Sequence, residues 1–232
     1  MTKKRLFIHV GAPKTGSSFL QSVFRERGEE LKNYGILYPG IENREYIVTP
    51  NVDINGHLLT RIFRLCLVEE YLLKKGEVHS LVKSLFSFGF NKIFISDEIL
   101  SVLPTLAIDI IKEVCAEEGI TVVFFAYFRA PEKSYPSHWS QVIRKHGEKR
   151  GLIEFSKNRH LAIWQNLIDI VSHDEICHLF SYEKVIEKKA MLKSALGVLG
   201  VVSDSLFDGV DLNKQVNTAL SIKALTALRY YQ

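Results

Sequence analysis

Short apolar runs alternate with longer amphipathic stretches along most of the chain. Runs of β-branched, aliphatic and aromatic residues bounded by glycine or polar positions predict buried strands. They cover Leu6–Val10, Ile36–Tyr38, Lys92–Ser96, Thr121–Phe128 and Glu175–Phe180. The run at Thr121–Phe128 is almost wholly apolar, so we expect that strand to be buried on both faces.

Helical periodicity separates the predicted strands. A first helix follows Ser17 and Ser18 and is expected to end near Gly28 or Gly35. Further helices are predicted at His57–Lys75, Glu77–Phe88, Pro104–Glu118, Ser134–Arg144 and Leu161–Val171, and beyond Phe180. Residues 40–56 have no such period and predict an irregular segment.

This alternation of strands and helices favours an α/β fold. We predict a three-layer α/β/α architecture with a central parallel sheet of about five strands, as in P-loop nucleotide-binding proteins. The length of 232 residues suits one domain, residues 1–232. The sequence stops within a helical pattern, LTALRYYQ, which favours a natural chain that continues past residue 232.

Composition limits the function classes. The net charge of +4 suits an anionic ligand but gives no reason to expect nucleic acid as a partner. The three cysteines are scattered, which is typical of reduced thiols and not of a disulfide framework or a metal site. The apolar run at Leu6–Val10 is too short for a signal peptide or a membrane span, so we predict a cytoplasmic protein without a membrane span. Oligomeric state is not readable from these features.

The first predicted strand runs into GAPKTGSS, residues 11–18. Gly11 and Gly16 have the spacing of the phosphate-binding loop G-x-x-x-x-G-K-[ST], but the lysine is Lys14, inside the loop. Ser17 stands where the lysine of a nucleoside triphosphatase belongs. Backbone N–H groups that lead into a helix N-terminus bind anions, and Lys14 adds a positive charge. The loop therefore predicts a phosphate-like ligand.

Two other predicted strands also end in polar residues. Asp97 and Glu98 follow KIFIS, and Arg129 leaves the end of the strand at Thr121–Phe128. Ser137 comes eight residues after Arg129, near the start of a predicted helix, where the pair could clamp a second phosphate. Ligands of parallel α/β sheets bind at the carboxyl ends of the strands, so we expect all three motifs to meet at one edge.

Together the loop and the arginine motif resemble the sulfotransferase family, which uses 3′-phosphoadenosine 5′-phosphosulfate (PAPS). The family's 5′-phosphosulfate loop reads P-K-[ST]-G-[ST]-[ST]-x-L-x, and residues 13–21, PKTGSSFLQ, match it. Its 3′-phosphate motif is a strand-end arginine followed eight residues later by a serine, as at Arg129 and Ser137. Three other stretches are more weakly similar to bacterial carbohydrate-type members, namely GILYPG, SYEKV and NKQVNTALS.

The resemblance implies a role for each matched residue. The cofactor-binding residues expected at the 5′-phosphosulfate are Gly11, Pro13, Lys14, Thr15, Gly16, Ser17 and Ser18. Lys14 is also expected to stabilise charge on the bridging oxygen as the sulfuryl group leaves. Arg129 and Ser137 are expected to bind the 3′-phosphate, which distinguishes PAPS from ATP. The family works without a metal, so none is expected here.

A base must take the proton of the acceptor hydroxyl. Glu98 is the first candidate, because family members carry a catalytic histidine or glutamate after the corresponding strand. His57, in NGHLL, is the second, because it follows the irregular segment expected to overhang the acceptor. The plain structural interpretation of Glu98 is a carboxylate at a helix N-terminus, and Asp97 is expected to orient or cap rather than act as the base.

The similarity to bacterial carbohydrate-type members predicts sulfuryl transfer from PAPS to a hydroxyl of a glycan or glycolipid, with a small-molecule acceptor left open. The alternative is a Mg-dependent P-loop kinase or NTPase in which Asp97 and Glu98 of KIFISDE form a Walker B motif. A nucleotide-binding module without chemistry is a third possibility. Metal dependence and preference for a 3′-phosphorylated nucleotide would separate the first two.

Overall fold

A computed structural model of the protein describes residues 3–12, 14–42, 47–49, 58–63, 67–157, 167–170, 177–202 and 210. The central sheet has five strands in the order β2-β5-β1-β6-β7, and all of its pairings are parallel. These strands are β1 Arg5–His9, β2 Ile36–Leu37, β5 Lys92–Ser96, β6 Thr121–Phe128 and β7 Cys177–Ser181. The predicted parallel sheet of about five strands is confirmed.

Helices flank the sheet and complete the predicted α/β/α arrangement. The α-helices are α1 Ser17–Glu26, α2 Gly28–Lys32, α3 Thr60–Phe63, α4 Lys75–Phe86, α5 Thr105–Glu117, α6 Pro131–His146, α7 Leu152–Lys157, α8 Tyr182–Glu187 and α9 Met191–Leu199. Two 3-10 helices cover Val68–Lys74 and Glu98–Val102. A separate antiparallel ribbon pairs β3 Gly40–Glu42 with β4 Ile47–Thr49.

The sheet separates two hydrophobic cores, and side chains of β6 enter both. Phe124 and Ala126 belong to the core formed with α4 and α5. Phe125 and Tyr127 belong to the core formed with α1 and α9, and the Tyr127 hydroxyl donates to the Met191 carbonyl at 2.9 Å. Successive strand residues point to opposite faces, so a strand covered on both faces needs apolar residues at every position. The expected burial of β6 on both faces is confirmed.

The segment between β2 and α4 differs from the expectations. Residues 40–42 and 47–49 form strands, so the prediction of an irregular segment is wrong there. The single helix predicted at His57–Lys75 is also wrong. The chain forms the short α3 and then the 3-10 helix Val68–Lys74, in which Tyr71 is buried while Leu72 and Leu73 are exposed. The leucines of this stretch therefore do not mark one buried helical face.

Two other predicted helices are helical in the structure, with differences in extent. The first predicted helix is divided at Arg27 into α1 and α2. Of the helix predicted at Leu161–Val171, only residues 167–170 are described, and they are helical. Among the described residues, no helix combines the length and apolar character needed to cross a bilayer.

Candidate active site

Three neighbouring strands bring the three motifs to one edge of the sheet. In β1, His9 is paired with Ser96 of β5 and with Phe125 of β6. The pairing continues beyond the strand, where the Val10 N–H donates to the Phe125 carbonyl at 3.0 Å. On the other side the Asp97 N–H donates to the His9 carbonyl at 2.9 Å. The loop after β1 is therefore flanked by the Asp97-Glu98 and Arg129 motifs.

Gly11 of the loop is required by a close contact and Gly16 by its positive φ. A Cβ on Gly11 would lie 2.5 Å from Nε2 of His9 and 3.2 Å from Oγ1 of Thr15. Gly16 is the N-cap of α1 with φ 80, and a Cβ there would lie 2.8 Å from Cε of Met191. The buried Thr15 hydroxyl donates to the Ala12 carbonyl at 2.6 Å and closes the turn. Because Gly16 has no side chain, no side-chain cap covers the amides of the first turn of α1.

Arg129 contacts the loop directly. Its Nη1 donates to the Lys14 carbonyl at 3.0 Å, and its guanidinium lies 5.1 Å from the centroid of the Tyr182 ring. Arg129 is half-buried, and its buried Nε has no hydrogen-bond partner within the described ranges. Lys14, also half-buried, has the left-handed φ of 72, which is uncommon for a residue with a side chain. The hydrogen bond from Arg129 to the Lys14 carbonyl thus joins the arginine motif to the glycine loop.

Glu98 contacts the loop from the opposite side. The buried Ser17 hydroxyl, at the first residue of α1, donates to Oε2 of Glu98. Glu98 begins the 3-10 helix Glu98–Val102 and is half-buried. The first candidate base therefore lies beside the N-terminus of α1, where a phosphate-like ligand is expected.

Asp97 has a structural role. It is fully buried, and its Oδ2 accepts from the Leu59 and Thr60 N–H groups at 3.1 and 2.8 Å. Its Oδ1 accepts from the Thr60 hydroxyl at 2.5 Å. The carboxylate caps α3, which is distant in sequence, and not the 3-10 helix that follows Asp97. A Walker B aspartate instead directs its carboxylate to the metal of a bound nucleotide.

The other predicted site residues have the following places. Ser18 is exposed at the second position of α1, and Ser137 is half-buried on the second turn of α6. Pro13 and His57 lie outside the described residues. No group of three or more His, Cys, Asp or Glu residues that could hold a metal occurs in the described part of the chain.

Sequence reasoning missed a polar network beneath the loop. Nδ1 of the fully buried His9 lies 2.9 Å from the Ser96 hydroxyl, which also accepts from Nε2 of Gln21 at 3.2 Å. Burial lowers the pKa of His9 to about 3, so the ring is neutral at physiological pH. Its Nε2 lies next to Gly11 and has no partner among the described residues. A histidine at the end of an apolar strand was the available signal.

The turn after β7 was also missed as part of the site. Tyr182 lies against both the Arg129 guanidinium and Gly16, with its Cε2 3.4 Å from the position of a Gly16 Cβ. The neighbouring Glu183 accepts a hydrogen bond from the Ala130 N–H at 3.2 Å. The sequence marked SYEKV only through its similarity to a family segment.

These features define a three-layer α/β protein with a glycine loop and a cluster of polar groups at the carboxyl edge of its parallel sheet. Its fold is similar to that of two solved sulfotransferase structures. "Sulfotransferase Domain from the Curacin Biosynthetic Pathway" is 15% identical, with a TM-score of 0.50 over 97% of this chain and 83% of that one. A sulfotransferase from Alicyclobacillus acidocaldarius is 14% identical, with a TM-score of 0.52 over 100% of this chain and 93% of that one. Comparison with protein-family models and with curated protein sequences gives no match. The predicted resemblance to sulfotransferases is confirmed at the level of the fold.

Proposed function

We propose that this protein is a sulfotransferase that moves a sulfuryl group from PAPS to a hydroxyl acceptor. The observation that carries the proposal is that the loop after β1 contacts both flanking motifs, through Arg129 to Lys14 and through Ser17 to Glu98. A positive charge, an unblocked helix N-terminus and a carboxylate thus lie within one small region. The similarity of the fold to two sulfotransferases supports the same function.

The chain's own groups fit a nucleotide with two separate phosphates. The 5′-phosphosulfate would lie over Gly11 and residues 14–18, with the amides at the N-terminus of α1 as donors. Arg129 and Ser137 would bind the 3′-phosphate. The buried Nε of the Arg129 guanidinium has no hydrogen-bond partner within the described ranges, so its contacts within the protein do not saturate it.

The proposed reaction is an in-line displacement at sulfur. A bond forms between the acceptor oxygen and sulfur, while the bond from sulfur to the bridging oxygen breaks. Glu98 takes the acceptor proton, and Lys14 stabilises the charge that develops on the bridging oxygen. The products are the sulfated acceptor and adenosine 3′,5′-bisphosphate. Such a reaction depends mainly on positioning and charge stabilisation, and the family resemblance implies that it proceeds without a metal.

The acceptor class rests on the sequence resemblance. We propose a hydroxyl of a glycan or glycolipid, because the similar segments are those of bacterial carbohydrate-type members. The residues before α3 and after α6 are the expected acceptor-binding regions. His57 remains the second candidate base, and a cytoplasmic location remains a prediction.

Calorimetric titration tests the donor. Adenosine 3′,5′-bisphosphate is titrated into the protein in EDTA, beside ATP with Mg²⁺. We expect metal-independent binding of the bisphosphate and its loss in Arg129→Ala. Binding of Mg-ATP alone would contradict the proposal and support the kinase alternative.

A further inference from the structure

The backbone of Lys14 has an unusual conformation for the residue expected to do chemistry. Its φ of 72 lies in the left-handed region, which L-residues other than glycine occupy at a cost in free energy. Such residues persist where surrounding contacts hold them, and they are frequent at functional sites. The glycines of the loop, Gly11 and Gly16, are not at this position. The backbone of Lys14 therefore needs a contact that holds it in this conformation.

Arg129 supplies a contact of that kind. Its Nη1 donates to the Lys14 carbonyl at 3.0 Å across a sequence separation of 115 residues. A hydrogen bond from a charged donor is stronger than a neutral one. This bond restrains the orientation of the peptide group that joins Lys14 to Thr15, and so restrains the backbone of Lys14.

The arginine is itself held by the turn after β7. Its guanidinium lies 5.1 Å from the centroid of the Tyr182 ring, and the next backbone N–H, of Ala130, donates to Glu183 at 3.2 Å. Tyr182 also packs near Gly16 of the loop. Arg129 therefore has a defined position before any ligand binds.

We infer that Arg129 is a positioning residue for Lys14, which it holds in the left-handed conformation by binding its carbonyl. This role adds to the 3′-phosphate contact and rests on the proposed function. The Arg129 side chain then both binds the 3′-phosphate and positions the catalytic lysine. The affinity for a nucleotide without a 3′-phosphate must consequently still depend on Arg129.

Adenosine 5′-phosphate is the probe for this role, because it has no 3′-phosphate. We expect Arg129→Ala to weaken its binding about tenfold, since the loop loses a charge-assisted hydrogen bond. Arg129→Lys keeps the charge but not the planar guanidinium, and we expect it to restore little of the affinity. Unchanged affinity for adenosine 5′-phosphate in Arg129→Ala, with affinity for the 3′,5′-bisphosphate lost, would overturn the inference.

Two matched backgrounds show whether Arg129 acts through the backbone of Lys14. Lys14→Ala and Lys14→Gly both remove the ammonium group, but only glycine adopts a positive φ without strain. We expect Arg129→Ala to weaken adenosine 5′-phosphate binding about tenfold in the Lys14→Ala background and less than about twofold in the Lys14→Gly background. Equal losses in the two backgrounds would contradict the inference.

Urea denaturation of the same variants provides a readout that needs no nucleotide. Arg129→Ala should lower the unfolding midpoint more in the Lys14→Ala background than in the Lys14→Gly background. If the wild-type chain binds neither adenosine nucleotide, the proposed function fails, and the denaturation series still decides the role of Arg129. Equal midpoint changes would then reject it.

Discussion

Two hydroxyl groups of the loop, on either side of Gly16, have different partners. Thr15 donates to the Ala12 carbonyl inside the loop, whereas Ser17 donates to Glu98 across the site. The sequence assigned both residues to the same phosphate. In the structure the Thr15 hydroxyl maintains the turn, while the Ser17 hydroxyl connects the proposed phosphate site to the proposed base.

Replacement of the loop lysine tests its proposed chemistry. We expect Lys14→Ala to reduce turnover by about 10²–10³, because one preorganised donor at a developing charge has about that value. The measurement is the rate of transfer from PAPS at saturating donor. Unaltered turnover would mean that the loop has been assigned the wrong role.

The identity of the base is tested by a pair of substitutions. Glu98→Gln keeps the shape and a hydrogen-bond acceptor for Ser17 but removes the basic carboxylate, so we expect activity to be lost and bisphosphate affinity to change little. Activity and calorimetric affinity are measured on the same preparation, with His57→Ala in parallel. If His57→Ala abolishes activity and Glu98→Gln does not, the two candidates exchange roles.

Buried His9 should make stability depend on pH. Its pKa is lowered from 6.5 to about 3 by burial, so between these values the unfolded chain binds a proton that the folded chain does not. The free energy of unfolding therefore rises with pH across this window and falls on acidification below about 6.5. Between about pH 7 and pH 5, the free energy of unfolding measured with urea should fall more steeply for the wild type than for His9→Phe. Parallel curves would argue against burial of a neutral imidazole in the native state.

At the scale of elements, the sequence predicted the strands of the central sheet well and the elements between β2 and α4 poorly. The strands combine β-forming residues with complete burial, as in Phe94 and Ile95 of β5, and both signals agree. The short α3 begins where Asp97, distant in sequence, caps Leu59 and Thr60. A helix whose start depends on a distant carboxylate has no complete local signature.

Removal of this cap should destabilise the protein. Asp97 is fully buried and accepts three hydrogen bonds, so we expect Asp97→Ala to lower the free energy of unfolding by roughly 2–4 kcal/mol. Asp97→Asn retains one oxygen acceptor and should cost less. Urea denaturation measures both, with the exposed Asp109→Ala on α5 as a control expected near wild-type stability. If Asp97→Ala is as stable as the control, Asp97 does not cap α3.

At the scale of the whole molecule, the strand order β2-β5-β1-β6-β7 decides which motifs meet. With β1 between β5 and β6, the loop after β1 has Glu98 on one side and Arg129 on the other. The strand order follows from long-range pairing and from the packing of both cores against the sheet. Alternation of elements predicts a parallel sheet but not this order.

A ligand that contacts several elements should stabilise the entire fold. Adenosine 3′,5′-bisphosphate at about one hundred times its dissociation constant should add about 2.7 kcal/mol to the free energy of unfolding by mass action. We expect a rise in melting temperature of several degrees in EDTA, which Arg129→Ala removes. A rise with Mg-ATP but not with the bisphosphate would contradict the proposed donor.

The sequence by itself determined the five strands of the central sheet, the parallel α/β class and the residues of the glycine loop, because these depend on local composition and on short spacings. It also placed Glu98 and Arg129 at strand ends. Only the tertiary structure decided that Ser17 contacts Glu98, that Arg129 binds the Lys14 carbonyl and that His9 contacts Ser96. These partners are separated by 81, 115 and 87 residues, so their contacts depend on strand order and register. A local pattern carries no information on that order, because it arises from how the two cores pack on the sheet.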